Sequence, residues 1–408
     1  GFGYMMSGDY QAARDTLDRY DADPEASQIR FTSMYRETIR GQCYALEGQL
    51  ARAESVLSAA LDRAEKEYGR RSTAACVLTG ALANVYYETN QLAKAERILA
   101  NRLNVLNETV FPEGIIKAKT TAIRLHYLKD RIEDAREVFE ACRDYGERTG
   151  FTRVTVSAYY ERLRHHVARD DLESAEADLE EIERLAPKNG YDRFDTEGEV
   201  ALMANCARAH VLIAQSKFKH ARALLDDLVR DYAGINRRPL HAGLNLLLAV
   251  ALDGEGREKE AQTHLVRALQ IGERAGLKRT FLDEMEFCRP LFETIVKATS
   301  QPAFLREYVQ SLLDADKPVE TEAAPRRAPR PGAAEIRVAP LSTDCVSLSE
   351  REHEILELLA QGMPNKRIAL VLNISVETVK WHLKSLYLKL EVSSRLHAVD
   401  KARAMQLI

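Results

Sequence analysis

The sequence predicts an all-α protein: an α-solenoid of about seven ~40-residue helix pairs, a flexible linker and a small C-terminal helix-turn-helix domain. Three observations predict it. A short pattern recurs seven times between Gly8 and Leu265. A proline-punctuated stretch then interrupts all periodicity. Beyond it, two capping residues, a tight turn and a basic helical face arrive at the spacing of a DNA-reading helix-turn-helix. Composition agrees, since Ala, Leu, Glu and Arg are abundant and aromatics are only 7%.

The recurrence starts at Gly8, Gly48, Asn90, Asp130, Asp170, Ser216 and Gly256, with spacings of 40, 42, 40, 40, 46 and 40 residues. Each start is a turn former or helix cap. Two positions on stands an apolar residue (Tyr10, Leu50, Leu92, Ile132, Leu172, Phe218), and Glu258 breaks that rule in the seventh unit. Five positions on stands alanine every time: Ala13, Ala53, Ala95, Ala135, Ala175, Ala221 and Ala261. Nine positions on come Leu17, Leu57, Leu99, Phe139, Leu179, Leu225 and Leu265. A small side chain at a helix crossing lets two backbones approach, and the residue four positions later points the same way into the neighbour. Each unit therefore reads as the second helix of an antiparallel pair. The first helices lie between, as over Met34–Leu46, Ala74–Tyr87 and Val200–Gln215.

From Phe281 to Leu313 the apolar residues Phe281, Met285, Phe287, Leu291, Phe292, Ile295, Phe304 and Leu305 predict two helices capping the last repeat. Pro290 is expected near the first turn of one and Pro302 near the start of the other, where proline is tolerated. From Ala315 to Asp344, Pro318, Pro325, Pro329, Pro331 and Pro340 punctuate an Ala/Arg/Glu-rich run, read as a flexible linker. The expected domains are therefore 1–314, 315–344 and 345–408.

In the last domain Ile355, Leu358 and Leu359 share one helical face. Gly362 ends that helix and Pro364 blocks its continuation. Asn365 caps a short second helix with Ile368, Ala369 and Leu372, and Ser375 caps a third that buries Val379, Leu383, Leu386 and Leu390. The third helix exposes Lys380, Trp381 and Lys384, flanked by Thr378, His382 and Lys389. Such a helix fits the major groove, where lysine donates to guanine acceptors. Asn365 and Lys366, at the start of the second helix, are placed to meet phosphates.

These residues carry a resemblance. Leu348 to Ala404 resembles the DNA-binding domain of the LuxR family, through Ser349, Arg351 and Glu352, through Asn365, Lys366, Ile368 and Ala369, through Thr378, Val379, Lys380 and His382, and through Lys389, Leu390 and Val392. The resemblance implies that Lys380, Trp381 and Lys384 face base edges and that Asn365, Lys366 and Thr378 stand near phosphates, with His382 supporting. It also implies a dimer-supporting last helix over Ser394–Met405. Two departures matter: Glu391 stands where glycine is usual, so the turn there differs, and Arg367 stands where an acid is frequent. Trp381 has two open readings, contact with a thymine methyl or shielding of the domain's own core.

The repeats resemble the tetratricopeptide type, stretched from ~34 to ~40 residues. A HEAT-like solenoid shares the period, but the small-residue turn and single alanine favour the tetratricopeptide type. Superhelix plus tail is similar to the large ATP-binding LuxR-type regulators. That resemblance implies a cytoplasmic bacterial transcriptional activator whose repeats sense a small-molecule or protein inducer and control self-association. Its partners would be double-stranded promoter DNA and RNA polymerase, with ATP bound only in a preceding module that this sequence does not contain. A start at Gly1 fits the C-terminal portion of a longer chain. The reading from another class is a protein-interaction scaffold, with DNA binding as a secondary anchor. Inducer sensing predicts an aromatic-lined concave site, for which Tyr44, Tyr86, Tyr87 and Tyr127 on first helices are candidates, although core packing explains most of them.

Charge places the nucleic-acid contact. Net charge is −4, yet Cys345 to Ile408 holds nine Lys/Arg against seven Asp/Glu, the linker holds five of each, and the first 314 residues carry −6. Arg326, Arg327 and Arg330 have two readings, contact with DNA phosphates or, the favoured one, solvated linker charges. Cys43, Cys76, Cys142, Cys206, Cys288 and Cys345 form no CxxC pair, which fits reduced thiols in the cytosol. There is no phosphate-cradling loop, no G-x-S-x-G elbow and no H-E-x-x-H, so no enzyme is expected. Adjacent His165 and His166 diverge by about 100° on a helix and cannot chelate one metal. Carboxylate pairs such as Glu180 with Glu181 and Asp226 with Asp227 read as solvated helix faces. No stretch reaches the ~18 apolar residues of a membrane span.

Overall fold

A computed structural model of the chain describes residues 1–21, 30–100, 102–103, 112–188, 192, 194–316, 350–360, 363, 365–372, 379, 383 and 402. Among these, every regular element is an α-helix. The chain divides into two compact units, Gly1–Glu320 and Thr321–Ile408.

Seven helix pairs build the described first unit. They are α1 (Phe2–Met6) with α2 (Tyr10–Asp21), α3 (Arg30–Leu46) with α4 (Leu50–Tyr68), and α5 (Thr73–Glu88) with α6 (Leu92–Leu99). Next come α7 (Pro112–Leu128) with α8 (Ile132–Thr149), α9 (Thr152–Ala168) with α10 (Leu172–Leu185), α11 (Thr196–Ala214) with α12 (Phe218–Asp231), and α13 (Arg238–Gly254) with α14 (Glu258–Ala275). Three further helices follow: α15 (Arg279–Leu282), α16 (Met285–Lys297) and α17 (Ala303–Ala315).

The seven turn residues share one conformation. Gly8, Gly48, Asn90, Asp130, Asp170, Ser216 and Gly256 all lie in the left-handed region, with φ between 53° and 83°. In each turn the next N–H donates to the carbonyl five residues back, from Asp9 to Tyr4, Gln49 to Tyr44, Gln91 to Tyr86, Arg131 to His126, Asp171 to His166, Lys217 to Leu212 and Arg257 to Leu252, at 2.7–2.9 Å. This is a Schellman cap: it satisfies an orphan carbonyl of the first helix and reverses the chain into the second. Gly48 has a second reason to be glycine, since a Cβ there would stand 2.9 Å from the Cβ atoms of both Ala275 and Arg238.

The two helices of a pair play different parts. The second helices bury one stripe, such as Ala221, Leu225 and Leu228 on α12, and leave the rest to solvent. All seven of the aligned alanines are buried, six of them completely. The first helices are buried nearly all round, as on α5 from Ala74 to Ala83 and on α13 from Leu244 to Leu252. They form the inner layer, and the second helices form the outer one.

Four details differ from the sequence reading. Leu179 is only half-buried, because α10 instead turns Asp178 inward to receive Arg162 at 2.5 Å. Ile132 is exposed, unlike its counterparts Tyr10 and Leu50. Pro290 stands inside α16, past its first turn, because the helix starts early at Met285 behind the separate turn of α15. The Phe281–Leu313 segment therefore holds α16, α17 and the end of a one-turn helix rather than two caps, and Phe304 is exposed.

In the second unit, α18 (Glu350–Ala360) and α19 (Asn365–Leu372) are described. Their buried residues are Ile355, Leu356, Leu359 and Ile368, joined by Val379, Leu383 and Ala402. Leu356 takes the buried place expected of Leu358, which is half-buried. Among the described residues no helix is long and apolar enough to cross a membrane. The five described cysteines are buried free thiols, and burial pushes Cys43 up to about 12 and Cys142 up to about 11. Cys345 lies outside the described residues.

Ser216 is an exposed L-residue held at φ 57°. Ser216→Gly is expected to stabilise the first unit by about 1 kcal/mol, and Ser216→Val to destabilise it by ~1–2 kcal/mol, in guanidinium unfolding.

Candidate functional site

The inward faces of the first helices converge on a cavity of about 310 Å³. Helical spacing builds its wall. On α7 the lining residues Glu113, Ile116, Lys117, Thr120 and Arg124 recur every three or four positions. On α9 Arg153, Ser157, Tyr160 and Glu161 do the same, and on α5 Ala81, Asn84, Val85 and Glu88. Met5, Met6, Leu46, Leu50, Leu202 and Met203 supply apolar wall.

Ion pairs cross this interior in two chains. In the first, Arg153 pairs with Glu113 and, at 2.6 Å, with Glu199, which also takes Arg237 at 3.1 Å. Arg237 donates to the Met6 carbonyl at 3.2 Å, tying α1 to a residue 231 positions away. In the second, Glu161 accepts both Nε and Nη2 of Arg124 at 2.6 Å and lies 3.3 Å from Arg164. Arg164 continues to Glu284 at 2.6 Å, and Glu284 to His210 Nε2 at 3.2 Å. The other nitrogen of His210 lies 2.8 Å from the Cys206 carbonyl. Arg124 also stands 3.5 Å from Glu88. One continuous chain thus joins α5, α7, α9, α11 and the residue before α16.

A second, more open cavity of about 530 Å³ is lined by Tyr87, Tyr127, Arg164, His165, Arg279 and Asp283. Arg124 and Glu161 line both cavities. Tyr87 donates to both oxygens of Asp283, at 3.1 and 3.0 Å, and Arg279 pairs with the same carboxylate. His165 stacks flat on Tyr127, 3.7 Å between centroids, and burial with neighbouring Arg169 and His166 holds it down at about 4, hence neutral near pH 7. Of the four tyrosines singled out in the sequence, Tyr87 and Tyr127 line this cavity. Tyr44 carries Arg14 and Arg52 on its ring, and Tyr86 is core. His166 faces Asp171 and Asp178, apart from the stacked His165. Among the described residues no His/Cys/Asp/Glu group could hold a metal ion.

Sequence reasoning missed Arg124, Arg153, Glu161, Arg164, Arg237 and Glu284. The signal was available: a charged residue in a helix that buries almost every face has no solvated side to occupy, so it must find a partner inside. Burial would raise the Glu161 and Glu284 carboxyls, but the arginines beside them, and His210 at Glu284, hold both below the usual carboxylate range.

The DNA-reading residues are placed differently. Asn365 and Lys366 open α19, at its N-terminus, where backbone N–H groups are free to meet an anion. Their side chains lie outside the described residues, as do Thr378, Lys380, Trp381, His382 and Lys384. Val379 and Leu383, the described residues of that stretch, are buried and helical, which agrees with the inward stripe predicted for the third helix.

Comparison with known proteins covers both units. Residues 1–298 match the family described as "MalT-like TPR region", and residues 346–402 match "Bacterial regulatory proteins, luxR family". Two curated relatives from Klebsiella pneumoniae strains, each called "HTH-type transcriptional regulator MalT", are 29% identical over 211 residues. That match covers 49% of this chain and 22% of each relative.

Two outcomes are expected from the buried chain. Glu161→Ala leaves two arginines without their carboxylate and is expected to cost ~3–5 kcal/mol in denaturant unfolding. A carboxyl whose folded pKa is depressed contributes stability above its unfolded value, near 4.3, and loses it as pH falls through the folded one. Stability should therefore drop as pH is lowered below about 4.5, and Glu284→Gln should flatten that acid limb while lowering stability at neutral pH.

Proposed function

The chain belongs to the MalT-like TPR family, and from that membership we propose that it is a DNA-binding transcriptional activator, not an enzyme, whose repeats sense an inducer. The proposed organisation is a sensor and self-association domain over 1–314, a linker over 315–344 and a LuxR-type DNA-binding domain over 345–408. The observation that carries it is the coexistence in one chain of a LuxR-family segment at 346–402 and a repeat unit whose inner helices line an amphipathic cavity. A cavity of about 310 Å³ is the size at which small-molecule sites begin.

The mechanism is one of effective concentration. A single helix-turn-helix domain covers one half-site, so repeats that assemble on binding inducer raise avidity without new base contacts. Promoter-bound assemblies then present the chain to RNA polymerase. Lys380, Trp381 and Lys384 read base edges in this proposal, while Asn365, Lys366, Thr378 and His382 hold phosphates or support the reading helix. The relatives named for MalT are transcriptional regulators by name, which supports the reading.

Fluorescence anisotropy of the whole chain against promoter fragments and random DNA, across a salt series, tests it. Lys380→Ala and Lys384→Ala are each expected to weaken specific binding by ~1–3 kcal/mol, and Lys366→Ala to weaken all sequences alike and flatten the salt slope. Unchanged promoter affinity in both recognition-helix variants removes the assigned reading face. No preference for any promoter fragment at any salt argues against sequence-specific reading.

A further inference from the structure

The charges lining the α5–α7–α9 cavity divide unevenly between those already paired and one that is not. Its four carboxylates all have arginine partners: Glu88 and Glu161 have Arg124, Glu113 has Arg153, and Glu199 has Arg153 and Arg237. These three arginines are thereby engaged. Lys117 is the remaining cation of the wall, and among the described residues it has neither an ion pair nor a hydrogen bond. Burial pushes its ammonium below the usual lysine range, with Glu199 and Glu88 only partly offsetting this.

Other polar groups of the wall are also unpartnered. Gln42 is 6% exposed, and its buried Nε2 has no acceptor. Asn84 and the Tyr160 hydroxyl line the same space and make no hydrogen bond to a described residue. An ammonium, two amides and a phenol are therefore available as donors in one enclosure. Leu46, Leu50, Leu57, Val85, Ile116 and Leu202 supply the apolar remainder. An unmade hydrogen bond at a buried donor such as Gln42 Nε2 costs about 1–3 kcal/mol, so an acceptor beside it is favoured, and the Lys117 ammonium lines the same space.

Resting on the sensing role proposed above, we infer that the inducer is a small mono-anionic molecule with an apolar body, its carboxylate taken by Lys117 with Gln42 and Asn84 and its body lying against the leucine-rich wall. A cationic ligand finds every carboxylate occupied by arginine. A second negative charge has no further free cation among the described lining residues and would meet those carboxylates. A purely polar ligand leaves the apolar wall without a partner.

The test uses the whole 408-residue chain. Octanoate and phenylbutyrate, each beside its neutral primary amide, are titrated calorimetrically and by thermal shift against the parent, Lys117→Met and Lys117→Arg. The expected result is saturable binding of the carboxylates, weaker by about 10- to 100-fold for the amides, as the loss of a charge-assisted hydrogen bond implies. Lys117→Met should reduce carboxylate binding to the amide level, and Lys117→Arg should keep the preference. Because the Lys117→Met change removes an unpaired cation, its melting temperature should equal or exceed the parent's, which separates a binding loss from misfolding. Amides that bind as tightly as carboxylates, or a Lys117→Met variant that binds carboxylate like the parent, overturn the anion assignment while the sensing cavity stands. If no probe binds at millimolar concentration, the cavity fails as the sensing site and the anion assignment falls with it.

Discussion

The end of α5 is held by residues almost two hundred positions later, and the interior of the first unit depends on that hold. Tyr87 donates to Asp283, the Glu88 carbonyl accepts the Lys278 N–H at 2.8 Å, and the Glu88 carboxylate accepts Thr280 at 2.9 Å. Nearby turns repeat the theme, with Gly48 against Ala275 and Gly8 against Ile235. A solenoid whose repeats touch only sequence neighbours leaves an open groove. Here the first three pairs meet the segment from Ile235 to Glu284, so the superhelix closes on itself and the inner faces of its first helices enclose a space. The short segment from Lys278 to Glu284, at the start of the expected cap, therefore acts as a clasp.

Enclosure explains the electrostatics. Charged residues on an inner face lose bulk water, and the guanidinium groups there stand in chains in which each meets a carboxylate. Arg124, Glu161, Arg164 and Glu284 form such a chain across α7, α9 and the clasp, which Glu88 extends to α5 and His210 to α11. Removing one member costs more than a surface ion pair of the same geometry contributes, because the others stay buried. The same chain separates the two cavities, since Arg124 and Glu161 face both.

How much was legible follows from what each feature needs. The repeat was legible because its two requirements are local. A left-handed turn residue restricts the choice to Gly, Asn, Asp and, at a cost, Ser, and a helix crossing restricts the choice to alanine. Both leave a mark at a fixed spacing, and all seven turns and alanines stand where that mark puts them. The α18–α19 pair was legible for the same reason, with Leu356 rather than Leu358 buried. Closure was not legible, because Tyr87 and Asp283 carry no periodic mark and their meeting depends on the summed rotation of the intervening pairs. The interior site was hidden with it: Glu161 looks like any helical glutamate until α9 is known to bury nearly every face.

Hydrogen exchange read by mass spectrometry, on the whole chain and on Asp283→Ala, tests closure most directly. The substitution removes the acceptor of Tyr87 and the partner of Arg279 without touching α5 itself. Closure predicts faster exchange in the last turn of α5, around Val85 to Glu88, together with the α15 segment, while α12 keeps the parent's protection. If α15 exchanges faster and the end of α5 is unchanged, the two are not mechanically joined, and the interior is an open groove rather than an enclosed site.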